Sequence, residues 1–410
     1  MAQKLEELHL ADLHERAAKL GIPRYRLLRR DQLVAEIEGR DGEEPERERE
    51  RLEDAETTDI VGVLEVTPQR YGFLRFQGLG AQPDDVYVSA SQIRRCELRS
   101  GDEVSGPARE PRRGERHRAL VHVDRVNGGE PQTEERPAFE DLTPVLPTRR
   151  LALGDSSDVL TRAVDLLTPL ALGQRVLVMA APRSGRTTLL RGVSSAIEGR
   201  EDVELLVLLI DERPEEATAW RDAVPGSDVV TATADLAPEE QVRVAELAVA
   251  RARRLAESGR DAVLVVDSLS RLAVASASVG SRRRGSDVAE VKALFGSGRE
   301  LSEEGVGSLT VIATVVEGAE DGGAAERAVV TTESALIALD AGLAANGVFP
   351  ALRVGECRIS NEDQLRDPDE LAAIRRLRSL LGDLDPAEAA NLLRERIEGS
   401  ASNAELLQDL

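Results

Sequence analysis

Ala180-Ala181-Pro182-Arg183-Ser184-Gly185-Arg186-Thr187 is the stretch on which the reading of this chain turns. The apolar run Arg175 to Ala180 leads into it and a helical pattern, Thr188 to Ile197, leads out. A strand-to-helix turn of this kind wraps backbone N–H groups around phosphates, adds the helix N-terminus, and offers a Ser or Thr hydroxyl to magnesium. The match to G-x-x-x-x-G-K-[ST] is incomplete, because Ala180 stands at the first glycine and Arg186 at the lysine. Lysine is scarce throughout, at Lys4, Lys19 and Lys292 only, so the arginine also fits a drift in composition. Taken alone, the octapeptide is a weak signal, and its plainer reading is a simple strand-to-helix turn.

Its neighbours narrow the choice. The run Val203 to Ile210 ends in Asp211-Glu212, and Ala262 to Val266 ends in Asp267-Ser268. Open α/β sheets hold ligands at the carboxyl ends of their strands, where both acidic pairs fall. Further apolar runs at Ser308 to Thr314 and Ala335 to Leu339 alternate with helical patterns at Pro238 to Ser258 and Ala289 to Glu304. That alternation predicts a parallel sheet covered on both faces. The three motifs in this order predict a nucleoside triphosphatase in which Thr187 and Asp267 hold magnesium, directly or through water, and Glu212 polarises the attacking water. Asp211 and Glu212 also admit a plainer reading as strand-end polar residues. Asp367-Pro368 and Asp385-Pro386 are caps with proline in the first helical turn, so the chain ends in helices.

Towards the amino terminus the pattern changes. Five short alternating runs, Val61 to Val66, Tyr71 to Phe76, Asp85 to Ser89, Glu103 to Gly106 and Ala119 to Val126, predict a small barrel. Four of the nine aromatic residues, Tyr71, Phe73, Phe76 and Tyr87, crowd into this segment. Tyr71 and Phe73 share one strand face beside Arg70 and Arg75, a stacking platform for single-stranded bases next to charge for phosphates. Tyr87, Arg94 and Arg95 extend the set. The competing reading buries the aromatics as barrel core. Residues 1–40 read as a helical module and 41–57, nearly all charge, as a solvated linker. The barrel spans 58–127, a looser linker 128–150, and the ATPase domain with its helical end 151–410.

Composition sets the outer bounds. In 410 residues, 53 basic against 75 acidic groups give a net charge of −22, so any nucleic-acid contact must be local. Cys96 and Cys357 lie far apart and the histidines all fall at or before His122, which leaves neither a Cys/His zinc site nor a disulfide framework. No apolar leader and no run of about 18 apolar residues is present, which points to the cytoplasm and away from a membrane.

The DERPEE run at Asp211 to Glu216, the Tyr71 to Phe76 and Asp84 to Arg95 segments, Phe139 to Pro144, Gly307 to Thr314 and Val348 to Ala351 together resemble the bacterial transcription termination factor Rho family over nearly the whole length. The resemblance implies a homo-hexameric ring with a RecA-like ATPase, fuelled by ATP with Mg2+, that pulls nascent RNA away from an RNA polymerase elongation complex. It implies nucleotide contacts at Ala171, Leu172, Gly173, Gln174, Arg175, Val176, Arg183, Ser184, Gly185, Arg186, Thr187, Thr188 and Arg213, with Glu212, Arg186 and Arg213 as the catalytic set. The family's arginine finger falls in a segment where Arg353 and Arg358 are the available arginines, neither in register. One pore loop, Glu317 to Glu326, is acidic, and the other is shortened and carries Arg282, Arg283 and Arg284. These departures sustain a second expectation, a paralogue that binds RNA and nucleotide with little hydrolysis. A rotary-ATPase subunit, the third, leaves the barrel unexplained.

Overall fold

Alternating small and apolar residues close the first described segment into a barrel. The computed structural model describes residues 57–76, 78–132, 136–280, 288–318 and 323–409, with Leu13, Arg30 and Val34. The rest of the N-terminal module, the charged segment up to residue 56, and Arg282, Arg283 and Arg284 lie outside the described residues. The barrel strands are β1 (Thr57–Val66), β2 (Gly72–Arg75) and β3 (Val86–Val88), then helix α1 (Ala90–Arg95), then β4 (Glu103–Arg109), β5 (Arg118–Leu120) and β6 (Arg125–Val126). The order β1-β2-β3-β5-β4-β6 closes because β4 also pairs with β1. Leu64, Leu74, Val86 and Val104 fill the interior. The predicted fifth run, Ala119 to Val126, is split in two. A Cβ on Gly106 would stand 2.3 Å from the His122 carbonyl oxygen, so the chains cross too closely there for a regular ladder.

The chain continues through β7 (Pro144–Val145) and α2 (Val159–Leu167) into the second sheet. Its elements are β8 (Arg175–Ala180), α3 (Arg186–Ile197), β9 (Val203–Glu212), α4 (Pro214–Ala223), β10 (Asp228–Thr233), α5 (Pro238–Glu257), β11 (Asp261–Asp267), α6 (Leu269–Gly280), α7 (Ala289–Phe295), β12 (Glu300–Leu301), β13 (Leu309–Val316), α8 (Gly323–Val329), β14 (Ala335–Leu339), α9 (Ala341–Ala345) and β15 (Arg358–Ile359). The strand order is β10-β9-β11-β13-β8-β14-β15, parallel except for β15. Two cores cover it. One packs Val178, Leu190, Trp220 and Leu393 on the α3 face, and the other packs Leu208, Ala248, Val266 and Leu272 on the α5 face.

Helix α7 stops at Phe295, well short of the predicted Glu304. A Cβ on Gly298 would lie 2.8 Å from the Gln174 carbonyl oxygen, so the chain leaves the helix to run against the start of β8, and β12 then pairs with β7. The last helices are α10 (Pro368–Gly382), α11 (Pro386–Glu398) and α12 (Asn403–Gln408). Asp367 and Asp385 cap the first two, each accepting first-turn N–H groups ahead of a proline, as the sequence predicts.

The barrel rests on α5. Arg251 pairs with Glu103 at 2.7 Å and donates to Asn127, while Arg99 reaches Glu257 at 3.1 Å. Gly101 sits so close that a Cβ there would stand 2.3 Å from the Ala250 backbone. Among the described residues no helix is long and apolar enough to cross a membrane.

Candidate functional site

The octapeptide opens α3 as the sequence predicts. Gly185 is the N-cap with φ +94°, and Arg183 also takes a left-handed φ of +65°. Such residues let successive N–H groups converge on one concavity. Ser184 is buried and locks the turn by donating its hydroxyl to the Ala181 carbonyl at 2.7 Å. The first turn of α3 carries no acidic side chain, so nothing within it competes with an anion.

Glu212 reaches this site through a bulge. The β9–β10 register passes from Ile210↔Ala232 to Glu212↔Thr233, leaving Asp211 unpaired at φ +54°. The extra residue turns Asp211 out to solvent and Glu212 inward. Asp267 ends β11, and its Oδ1 accepts the Thr314 hydroxyl from β13 at 3.1 Å. Arg186 joins the two carboxylates, with Nη2 3.5 Å from Glu212 Oε1 and Nε 3.1 Å from Asp267 Oδ1. Arg271 of α6 pairs closely with Glu212 and donates to the Ile210 carbonyl. Burial pushes the Glu212 carboxyl above its ordinary value, with Arg271 and then Arg186 pulling against that rise. The result is a desolvated carboxyl flanked by two guanidinium groups.

Thr187, the second residue of α3, and Asp267 supply one hydroxyl and one carboxylate. Hard oxygen donors of this kind, completed by substrate phosphates, suit magnesium. Thr188, Arg183 and Arg213, the last at the N-cap of α4, are exposed at the rim.

Not every expected nucleotide contact arrives here. Ala171 to Val176 precede or open β8, whereas the P-loop follows its other end, about 20 Å away along a six-residue strand. Leu172, Gly173 and Gln174 are buried there, and a Cβ on Gly173 would meet the Glu300 backbone at 2.3 Å. Within one chain these six residues therefore belong to the packing of the strand's start. Arg353 pairs with Glu317 and Arg358 with Glu333 in their own chain, at 2.7 and 2.6 Å. Phe349 is 48 % exposed beyond the carboxyl end of β14, where the Asp340 N–H bonds the Ala351 carbonyl.

The second candidate site lies on the barrel. Tyr71 stands 5.8 Å from Phe73 and 5.6 Å from Tyr87, all on one face, while Gly72 and Leu74 turn inward. The platform is thus on the surface and the barrel core is aliphatic. His117 packs edge-on against Phe73 at 5.0 Å. A groove of about 780 Å³ opens over these rings, with Arg95, Arg109, Arg112 and Arg116 in its wall. Glu115 grips Arg109 with both oxygens, at 2.7 and 2.9 Å, and accepts the Arg112 N–H. These bonds hold its carboxyl down at about 2. Arg109 ends β4 while Arg112, Arg116 and His117 lie in the loop before β5, so no local period in the sequence joins them into one wall.

Arg70 sits exposed at φ +66° in the turn closed by Thr67 and Tyr71, and Arg94 is exposed in the last turn of α1. Arg75 is corrected. It is 6 % exposed and its guanidinium is committed to Glu65 and Asp85, so it braces Phe73 from below instead of meeting phosphate.

Three family models match the chain. The Rho termination factor N-terminal domain covers residues 4–42 and its RNA-binding domain 60–132. The ATP synthase alpha/beta family nucleotide-binding domain covers 161–358. Transcription termination factor Rho of Aquifex aeolicus is 36 % identical over 99 % of this chain and 94 % of its own. That of Chromobacterium violaceum is 36 % identical over 97 % of both, and that of Mycobacterium tuberculosis 37 % over 88 % of this chain and 62 % of its own. An ATPase from the type III secretion system of pathogenic bacteria shares the fold, with a TM-score of 0.55 and 21 % identity over 70 % of this chain and 93 % of that one.

Proposed function

The chain belongs to the transcription termination factor Rho family, and from that premise we propose how its two sites act as an ATP-dependent, RNA-binding termination factor. The barrel groove holds single-stranded RNA, stacking bases on Tyr71, Phe73 and Tyr87 beside exposed arginines. The second domain is the RNA-dependent ATPase and helicase motor. Glu212 takes a proton from a water whose oxygen attacks the γ-phosphorus, as the bond to the bridging oxygen breaks. Arg186 leaves the carboxylates to carry charge to the phosphates, a role a guanidinium fills with two donors where a lysine offers a point charge. Thr187 and Asp267 would hold magnesium, which supplies further charge neutralisation when bound. Arg213, exposed at the rim, adds positive charge toward the nucleotide. We extend the reading to a cytoplasmic homo-hexameric ring acting on the nascent RNA of an RNA polymerase elongation complex.

The observation that carries this reading is the meeting of P-loop, Glu212 and Asp267 at one end of one sheet, with Arg186 touching both carboxylates. The same contact favours the second reading, a paralogue that binds RNA and nucleotide but hydrolyses slowly. ATPase measurement on the purified chain with saturating magnesium, with and without single-stranded RNA, decides between them. RNA-stimulated hydrolysis is expected, and a rate at background with RNA and ATP both bound selects the binding-only paralogue.

A further inference from the structure

Arg353 has a place in its own chain that a finger reaching into a neighbouring subunit would have to abandon. Its N–H bonds the Ala338 carbonyl at 2.9 Å, and Leu352 bridges Leu339. Leu339 already pairs with Ala180 on its other side, so the 352–353 segment lies along the outer edge of β14. Glu317 follows β13, and its N–H bonds the Ala180 carbonyl at 3.2 Å. With the order β13-β8-β14, Arg353 Nη2 meets Glu317 Oε1 at 2.7 Å only by crossing the ends of both β14 and β8. Three strand spacings amount to about 14 Å, a gap that an extended arginine and a glutamate close between them.

Alternation fixes the face. Leu352 and Val354 pack in the core on the α3 side, so Arg353 points the opposite way. Ala313 and Val315 pack in the core on the α5 side, and Glu317 continues their parity. Ala338 of β14 and Met179 of β8 are paired across the two strands and take that same face. The ion pair therefore crosses the sheet directly behind Ala180, the residue from which the P-loop springs. Arg353 Nη1 also lies 3.3 Å from Glu356 Oε2, so two carboxylates share this guanidinium.

We propose that Arg353 is a positioning residue acting in cis: with Glu317 it straps β13, β8 and β14 at their carboxyl ends and sets the P-loop against Glu212 and Asp267. The proposal rests on the nucleotide reading of the P-loop. A finger stabilises only the transition state and lowers kcat when lost, whereas a strap that sets the loop governs ATP affinity.

The test uses the full chain with Arg353→Ala, Glu317→Ala and the exchanged pair Arg353→Glu with Glu317→Arg. ATP affinity is measured by calorimetric titration and turnover at saturating ATP and RNA. Each single change is expected to weaken ATP binding about fivefold with a smaller effect on kcat, and the exchanged pair to recover most of the loss. A large fall in kcat for Arg353→Ala at unchanged ATP affinity, unrescued by the exchange, overturns the strap in favour of a finger. Unchanged affinity and turnover in the single variants overturn it as well. A wild-type chain that binds no ATP is a different result, because it removes the nucleotide reading itself.

Discussion

The RNA groove and the nucleotide site use arginine in opposite ways. In the groove, Arg95, Arg112 and Arg116 stand exposed, and Arg109 answers to the single carboxylate of Glu115. In the nucleotide site, Arg186 and Arg271 are already paired with Glu212 and Asp267. The groove is therefore ready for a polyanion as it stands, and its binding follows counterion release. On the proposed reading, the nucleotide site exchanges protein carboxylates for phosphates, so entry of ATP and the freeing of Glu212 become one event.

The largest expected effect breaks the comparison on the nucleotide side. Glu212→Gln should cut turnover by about 10² to 10⁴ while ATP still binds, the range for loss of a general base. A near-normal rate, measured beside an ATP titration, would remove Glu212 from the chemistry. The wild-type pH profile sharpens the same point. A protonated Glu212 accepts no proton, so kcat should rise with pH, and because burial raises this carboxyl, the midpoint should lie above the ordinary value of 4.5. A midpoint at or below that value would mean that the arginine pairing outweighs burial in the working enzyme.

On the groove side, Phe73→Ala should cost about 1 to 3 kcal/mol of single-stranded RNA affinity, read by titration of a barrel that keeps its fold. Unchanged affinity would leave the platform without a ligand. Asp267→Asn should weaken ATP binding in magnesium more than in chelator, which separates metal placement from proton transfer. The smallest effect is the most diagnostic of the contrast. Arg116→Ala should flatten the dependence of log affinity on log salt by about 0.7 if that arginine meets one phosphate, whereas an unaltered slope would take it off the RNA path.

Much of this was legible in advance because the decisive signals are local. A strand ending in the 180–187 turn, and two strands ending in acid, announce themselves within a few residues. The strand β10 and helices α4 and α6 were not anticipated, since Asp228 to Thr233 is short and mixed and Leu269 to Gly280 lacks a polar face that would mark its period. The groove wall escaped for a different reason: Arg109, Arg112, Arg116 and His117 become one surface with the rings only when the β4–β5 hairpin pairs with β3. Arg75 misled because its strand position matches Phe73, while its carboxylate partners, Glu65 and Asp85, come from elsewhere in the sequence. Periodicity reports which face a side chain takes and is silent about what waits for it there.

Helix α5 is a 20-residue rod, about 30 Å long. Near its start, Gln241 bonds the Thr233 and Leu236 carbonyls, next to the strand end that places Glu212, and near its finish Ala250 meets Gly101 of the barrel. For anyone building chimeras, that last contact is the connector. A barrel grafted from a relative must bring a glycine at position 101, since any Cβ would strike the Ala250 backbone and a φ of +88° disfavours every other residue. A graft that honours this one position keeps the barrel seated on the rod, and one that ignores it must lift the 101 turn off the Ala250 backbone.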